Sequence, residues 1–217
     1  MGYLGACNGT RSSGLWKTYY LVRIAETCRK LELKKLSDSP GKIIFINGAS
    51  SSGKSTLAQA LQSALPVPFW HVSIDHLIAA RILPPSRPEV AEFEWNEIRP
   101  HFFDGFRRCL PALAEAGNNL IVEHIIETDQ WCAHLQELLR PFDVFMIGLH
   151  CPIEELERRE IERGDRRVGS ARQDFLTIHK LCVYDLELSS INPLEANVQA
   201  VLEAWVQRQK RSRWFRD

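Results

Sequence analysis

Three observations predict a three-layer α/β domain with a parallel sheet at its centre. From Lys42 onward, short apolar runs alternate with longer stretches of helical periodicity, the order expected of strands joined by crossover helices. The first run, Ile43-Ile44-Phe45-Ile46-Asn47, is apolar almost without interruption, as a strand covered on both faces should be. Directly behind it stands Gly48-Ala49-Ser50-Ser51-Ser52-Gly53-Lys54-Ser55. This segment fits the phosphate-loop pattern G-x-x-x-x-G-K-[ST] and sits between a strand and a helix.

Taken in order, the elements follow from local signals. Residues 1–40 read as an N-terminal extension: a small, polar start, then a basic stretch in which Leu21, Ile24, Cys28 and Leu31 recur at helical spacing. A turn-rich segment over residues 37–41 separates it from the domain of residues 41–217. The helix after the phosphate loop carries Leu57, Ala60, Leu61 and Leu65 and stops before Pro66. Residues 70–75 form a second strand ending on Asp75, and residues 89–116 a largely helical insertion bent near Pro100 and Pro111. A third strand covers residues 119–123, a helix 129–140, and a fourth strand 143–149. The helix over 152–163 opens on Pro152 and closes on Gly164. A helix near 173–182, a fifth strand near 184–188 and a last helix from Leu194 complete the chain.

Charge and cysteine content narrow the function. Lys+Arg number 27 and Asp+Glu number 27, so the formal net charge is zero. That argues against nucleic-acid binding through bulk positive charge. The balance conceals an asymmetry. Residues 1–40 hold seven bases and three acids, +4, which leaves −4 in residues 41–217. The six cysteines show no C-x-x-C, so zinc and redox motifs are not indicated, and buried free thiols are expected. No apolar run reaches the roughly 18 residues of a membrane span, and Lys17 and Arg23 interrupt the apolar stretch near the N-terminus; a cytoplasmic protein is expected.

The phosphate loop has a physical logic. Its glycines allow a tight turn and close approach to phosphate oxygens, because no Cβ intervenes. Successive N–H groups at the helix start make a nest for anionic oxygens, reinforced by the helix dipole. Gly48 through Ser55, with Thr56, are the candidate ATP-binding residues; Lys54 would reach the β- and γ-phosphates and Ser55 would ligate Mg²⁺. No N-K-x-D segment for guanine recognition and no L-S-G-G-Q signature is present. A phosphate loop with a helical insertion after strand 2, able to shape an acceptor pocket, points to a small-molecule kinase.

Carboxylates and arginines extend the site. Asp75 at the end of the second strand faces the ligand crevice of an open α/β sheet, where it would accept the proton of an attacking hydroxyl. The competing role is an N-cap for the residues that follow. Glu123, at the equivalent place on the third strand, is a candidate to hold Mg²⁺ or orient the acceptor. Past the helix, Arg163, Arg166 and Arg167 continue onto a loop holding Gly164 and Gly169, the composition of a lid that closes over ATP. Glu154–Arg158 and Glu155–Arg159 are spaced to pair along the helix.

These residues resemble the chloramphenicol 3-O-phosphotransferases and their P-loop kinase relatives. The likeness covers residues 42–205 or so. It rests on Ile44-Phe45-Ile46-Asn47-Gly48 running into the loop, Val72-Ser73-Ile74-Asp75-His76-Leu77-Ile78, Arg159 through Arg166, and His179 through Tyr184-Asp185-Leu186-Glu187. It implies a P-loop kinase-like domain with a five-stranded parallel sheet and an arginine-bearing lid. It also implies ATP as donor, Asp75 as base, Arg159 near adenine, and Arg163 and Arg166 near the phosphates. Where the antibiotic kinase has two adjacent aspartates, this chain has Glu123-His124. The expected function is transfer of the γ-phosphate of ATP to a hydroxyl of a small molecule. The alternatives are a nucleotide, nucleoside or nucleotide-sugar kinase, for which Arg81, Arg87 and Arg99 are available, and a nucleotide-gated ATP-binding module acting on a partner protein.

Overall fold

The computed structural model describes residues 39–83, 95–164, 169–208 and 211–215. Five parallel strands lie in the order β2-β3-β1-β4-β5. They are β1 (Ile43–Asn47), β2 (Trp70–Ser73), β3 (Leu120–His124), β4 (Val144–His150) and β5 (Leu186–Ser189). Seven helices are described: α1 (Lys54–Ala64), α2 (Ile74–Ala79), α3 (Trp95–Glu115), α4 (Asp129–Leu139), α5 (Ile153–Arg163), α6 (Ser170–Thr177) and α7 (Leu194–Gln207). A short 3-10 turn, Ile178–Lys180, follows α6.

β1 is central, and its side chains show why an unbroken apolar run is needed there. Ile43 and Phe45 point into a core closed by α3 and α4, while Ile44 and Ile46 point into one closed by α1 and α7. The strands are registered so that Asn47 of β1 stands beside His124 of β3 and Gly148 of β4. The chain leaves β1 toward β2 on one side and later fills β4 and β5 on the other. The ligand crevice of such a sheet opens at this reversal, and the phosphate loop begins there.

Several boundaries differ from the sequence reading. β2 ends at Ser73, and Asp75 lies in the first turn of α2. The cap of α2 is Ser73, whose hydroxyl accepts from His76 N–H at 3.2 Å; Asp75 is not the cap. β3 ends one residue beyond Glu123, on His124. α3 runs through both Pro100 and Pro111 as one helix. The helix expected near 173–182 is α6 plus the 3-10 turn, and β5 starts two residues later than expected. Arg158 pairs with Glu155 and Glu162 rather than with Glu154.

The segment after α7 closes part of the core. Asp185 accepts from Met146 N–H at 2.8 Å, from Arg213 N–H at 2.7 Å and from the Ser212 hydroxyl. This anchorage delivers Trp214, 1% exposed, onto Phe45 with ring centroids 5.6 Å apart. Tyr184 lies over Gly148, where a Cβ would stand 2.7 Å from ring carbons, so only glycine admits the ring.

Candidate active site

The phosphate loop is held from below by Asn47. This buried amide accepts from Ile126 N–H at 3.1 Å and donates to the Tyr184 hydroxyl at 2.8 Å. The Tyr184 hydroxyl is also 2.8 Å from His179 Nδ1. The base of the loop is therefore tied to the segment after β3 and to the segment before β5. Ser51 and Gly53 both take left-handed backbone conformations, φ 62° and 94°. At Gly53 this opens α1 without a side-chain cap, leaving its first N–H groups directed toward the cleft. Lys54 Nζ donates to the carbonyls of Gly48 at 2.9 Å and Ala49 at 2.7 Å, which draws its charge across the loop. Ser50 N–H donates to Asp174 Oδ2 of α6 at 2.9 Å, so the helix after the arginine-rich segment reaches the loop directly.

The structure brings Ser55 and Glu123 together. The Ser55 hydroxyl donates to Glu123 Oε1 at 2.9 Å, and His71 Nε2 stands 3.4 Å from the same oxygen, an ion-pair distance without hydrogen-bond geometry. Burial raises the Glu123 pKa, but His71, Lys54 and Ser55 together outweigh it and hold the carboxyl below its usual range. Glu123 is thus a buried carboxylate, 5% exposed, whose second oxygen has no hydrogen-bond partner among the described residues. A hydroxyl beside an uncommitted carboxylate oxygen is the hard oxygen set that suits Mg²⁺.

One cleft of about 1300 Å³ contains the phosphate loop, Asp75, Glu123 and Arg159. Arg159 donates to Glu155 Oε1 at 2.6 Å and places its two terminal nitrogens 3.4 Å from the carbonyls of Ser52 and Ser190. Thr56, Asn192 and Asn197 line the same cleft. Asp75, Ile78, Trp95, Arg99, Phe103 and His124 line it as well. Arg99 is bound to Glu127 at 2.5 Å and lies over the Phe103 ring, its guanidinium carbon 4.5 Å from the centroid. His124 stacks on Trp131, with an interplanar angle of 10°. Burial, with the charges of Arg107, Lys54 and Arg99, pushes its pKa down to about 3, so its ring is neutral at physiological pH.

Arg163 ends α5, while Arg166 and Arg167, like Arg87 of the insertion, lie outside the described residues. The frame of that arginine-rich segment is visible at both ends. Gly164 closes α5 in a left-handed conformation, and buried Glu160 accepts from Gly169 N–H at 2.7 Å and Ala171 N–H at 2.9 Å. Glu160, Asp174, His71 and Asn47 did not emerge as site residues from the sequence. Asn47 carried a signal, a polar residue closing an apolar strand. The other three act through contacts with no local signature.

A sequence profile of the chloramphenicol phosphotransferase-like proteins matches residues 41–206. The chain belongs to that family. Two Mycobacterium tuberculosis proteins, from strains CDC 1551 and H37Rv, carry names that propose O-phosphotransferase activity. Each is 34% identical to this chloramphenicol phosphotransferase-like chain over 172 residues, covering 69% of it and 75% of the relative. The fold is also similar to APS kinase from Mycobacterium tuberculosis, with TM-score 0.59 and 18% identity over 77% of this chain and 99% of that one. A tunicamycin resistance protein from Deinococcus radiodurans gives TM-score 0.54 and 19% identity over 78% and 98%. The chloramphenicol phosphotransferase-like fold is therefore a P-loop kinase fold. No helix among its described residues is long and apolar enough to cross a membrane.

Proposed function

We propose that this protein transfers the γ-phosphoryl group of ATP to a hydroxyl of a small molecule. The observation that carries the reading is the shared cleft. In it a phosphate loop, the Ser55–Glu123 pair and the Asp75 carboxylate stand on one continuous surface. Family membership supports the phosphotransferase chemistry. The loop N–H groups and Lys54 bind and orient the donor phosphates, and Arg159 bounds the nucleoside end. Asp75 accepts the acceptor proton as its oxygen attacks phosphorus in line. Arg163 and Arg166 are assigned to the transferring phosphoryl group. Ser55 and Glu123 would hold Mg²⁺, which neutralises phosphate charge when bound. Water exclusion falls to the aromatic wall around Phe103 and to closure of the α5–α6 region.

A neutral acceptor fits better than an anionic one. Arg99, the cation in the described acceptor wall, is committed to Glu127. The test starts with purified protein, ATP, Mg²⁺ and a panel of alcohols that includes chloramphenicol, read by mass for one added phosphate. On an acceptor so found, Asp75→Asn should lower turnover by about 10²–10⁴-fold. Affinity for a non-hydrolysable ATP analogue should stay within about two-fold. Wild-type turnover in the variant would remove Asp75 from the reaction.

A further inference from the structure

Two thiols meet behind the phosphate loop. Cys132 of α4 and Cys182, in the irregular segment between the 3-10 turn and β5, have their sulfurs 3.8 Å apart although 50 residues separate them in sequence. Both are free in this structure. A disulfide needs about 2.05 Å between sulfurs. The remaining approach falls to side-chain rotation and to a segment bound by neither helix nor strand hydrogen bonds.

The surroundings are specific. The Cys132 thiol donates to Leu181 O at 3.2 Å, and Trp214 Nε1–H donates to Cys132 Sγ at 3.4 Å. On the far side, Asn47 Nδ2 lies 3.9 Å from Cys182 Sγ, and it is this same amide that binds Tyr184, two residues further on. Cys132 is 5% exposed and Cys182 is half-buried, so of the two it is Cys182 that lies nearer the surface. The hydrogen bond from Cys182 is the main cause that draws the Cys132 thiol down to about 7; burial opposes it and the Trp214 indole adds to it. The same contact and burial push Cys182 up. Donors from Cys182 and Trp214 thus favour the charged form of Cys132, with a second sulfur 3.8 Å away to resolve it once oxidised.

We propose that Cys132 and Cys182 form a redox-reactive dithiol whose oxidation by a peroxide is transmitted to the base of the phosphate loop through Asn47 and Tyr184. In the first step the Cys132 thiolate attacks one peroxide oxygen. The O–O bond breaks, hydroxide leaves and a sulfenic acid forms. In the second, the Cys182 sulfur attacks the sulfenic sulfur, its proton and the departing hydroxide become water, and the S–S bond closes. Two thiols and one hydrogen peroxide give one disulfide and two waters. The new bond closes a loop spanning β4, α5, the arginine-rich segment and α6, and it draws Cys182 toward α4 and away from Asn47.

Hydrogen peroxide treatment of the full chain should yield a peptide linking Cys132 to Cys182, lighter than the reduced pair by two hydrogens and restored by dithiothreitol. The Cys182→Ser variant, at a half-buried position and checked for an unchanged melting curve, should not form it. Absence of the linkage, or capture of Cys132 by another cysteine in the wild-type chain, would overturn the dithiol. Transmission is read separately by titrating reduced and oxidised protein with a fluorescent ATP analogue. Oxidation should weaken binding by about five-fold or more, the lower end of ordinary coupling between sites, and Cys182→Ser should not respond to peroxide. This arm rests on the nucleotide-binding reading of the loop, so reduced wild-type protein that fails to bind the analogue points to that reading. Equal affinities in a protein proven oxidised overturn the transmission.

Discussion

At the His179 ring, burial, the stacked His150 ring 3.9 Å away and the charge of Lys54 act in one direction, and the pKa falls to about 4. A neutral ring at that place can bind the Tyr184 hydroxyl, and through it Asn47, at neutral pH. Between its ordinary 6.5 and about 4, the unfolded chain holds a proton that the native chain lacks. Stability therefore falls as pH drops through that window, by at most about 2 kcal/mol at pH 5 for this residue. His124 titrates with the same sign, so the intact protein has both contributions. Urea unfolding at pH 7.5 and pH 5 should show His179→Gln losing about 1–2 kcal/mol less than wild type between the two values. Equal losses would place the ring outside the linkage. Single residues were legible in the sequence where chemistry and position coincide, as at Lys54 and Ser55. Asp75 was legible as a crevice residue but not as a helical one. Ser73 and Asp75 are both favoured caps, and the choice fell to Ser73 because it still pairs with Glu123 in the sheet.

Among elements, α5 and α6 depend on one another through Glu160. Its side chain is 3% exposed and takes the N–H groups of Gly169 and Ala171, donors that α6 leaves open because Gly169 offers no capping side chain. Removing the carboxylate in Glu160→Ala leaves the buried Ala171 N–H without its acceptor, at a cost of about 1–3 kcal/mol. Hydrogen exchange should report this locally: amides of α6 should exchange roughly ten-fold faster or more, with β1 unaffected. Uniform acceleration across the sheet would mean that Glu160 supports the fold as a whole instead. The strands and most helices could be read from periodicity and from glycine and proline punctuation. The Glu160 clamp could not, because it forms only once the start of α6 has packed against α5. β5 was displaced in the reading for a related reason. The expected strand began near Tyr184, yet that ring is spent on covering Gly148 and its hydroxyl on Asn47.

On the scale of the molecule, the two faces of the sheet are closed differently. α1 and α7 cover one face, while the other needs α3, α4 and the short segment that carries Trp214. Trp214→Ala should remove about 3–5 kcal/mol, seen as a lower urea midpoint with little change in slope; a midpoint shift under about 1 kcal/mol would contradict the packing described. The parallel sheet followed from the alternation of runs, but the role of the tail did not, since an aromatic pair outside any periodic pattern gives no direction. The Trp214 contact also has a bearing on timing. All five strands are synthesised before the residues that finish covering Phe45. For that interval the nascent domain carries an open aromatic seam beside Cys132, and its exposure to aggregation and to oxidants is set by the rate of synthesis rather than by the stability of the finished protein.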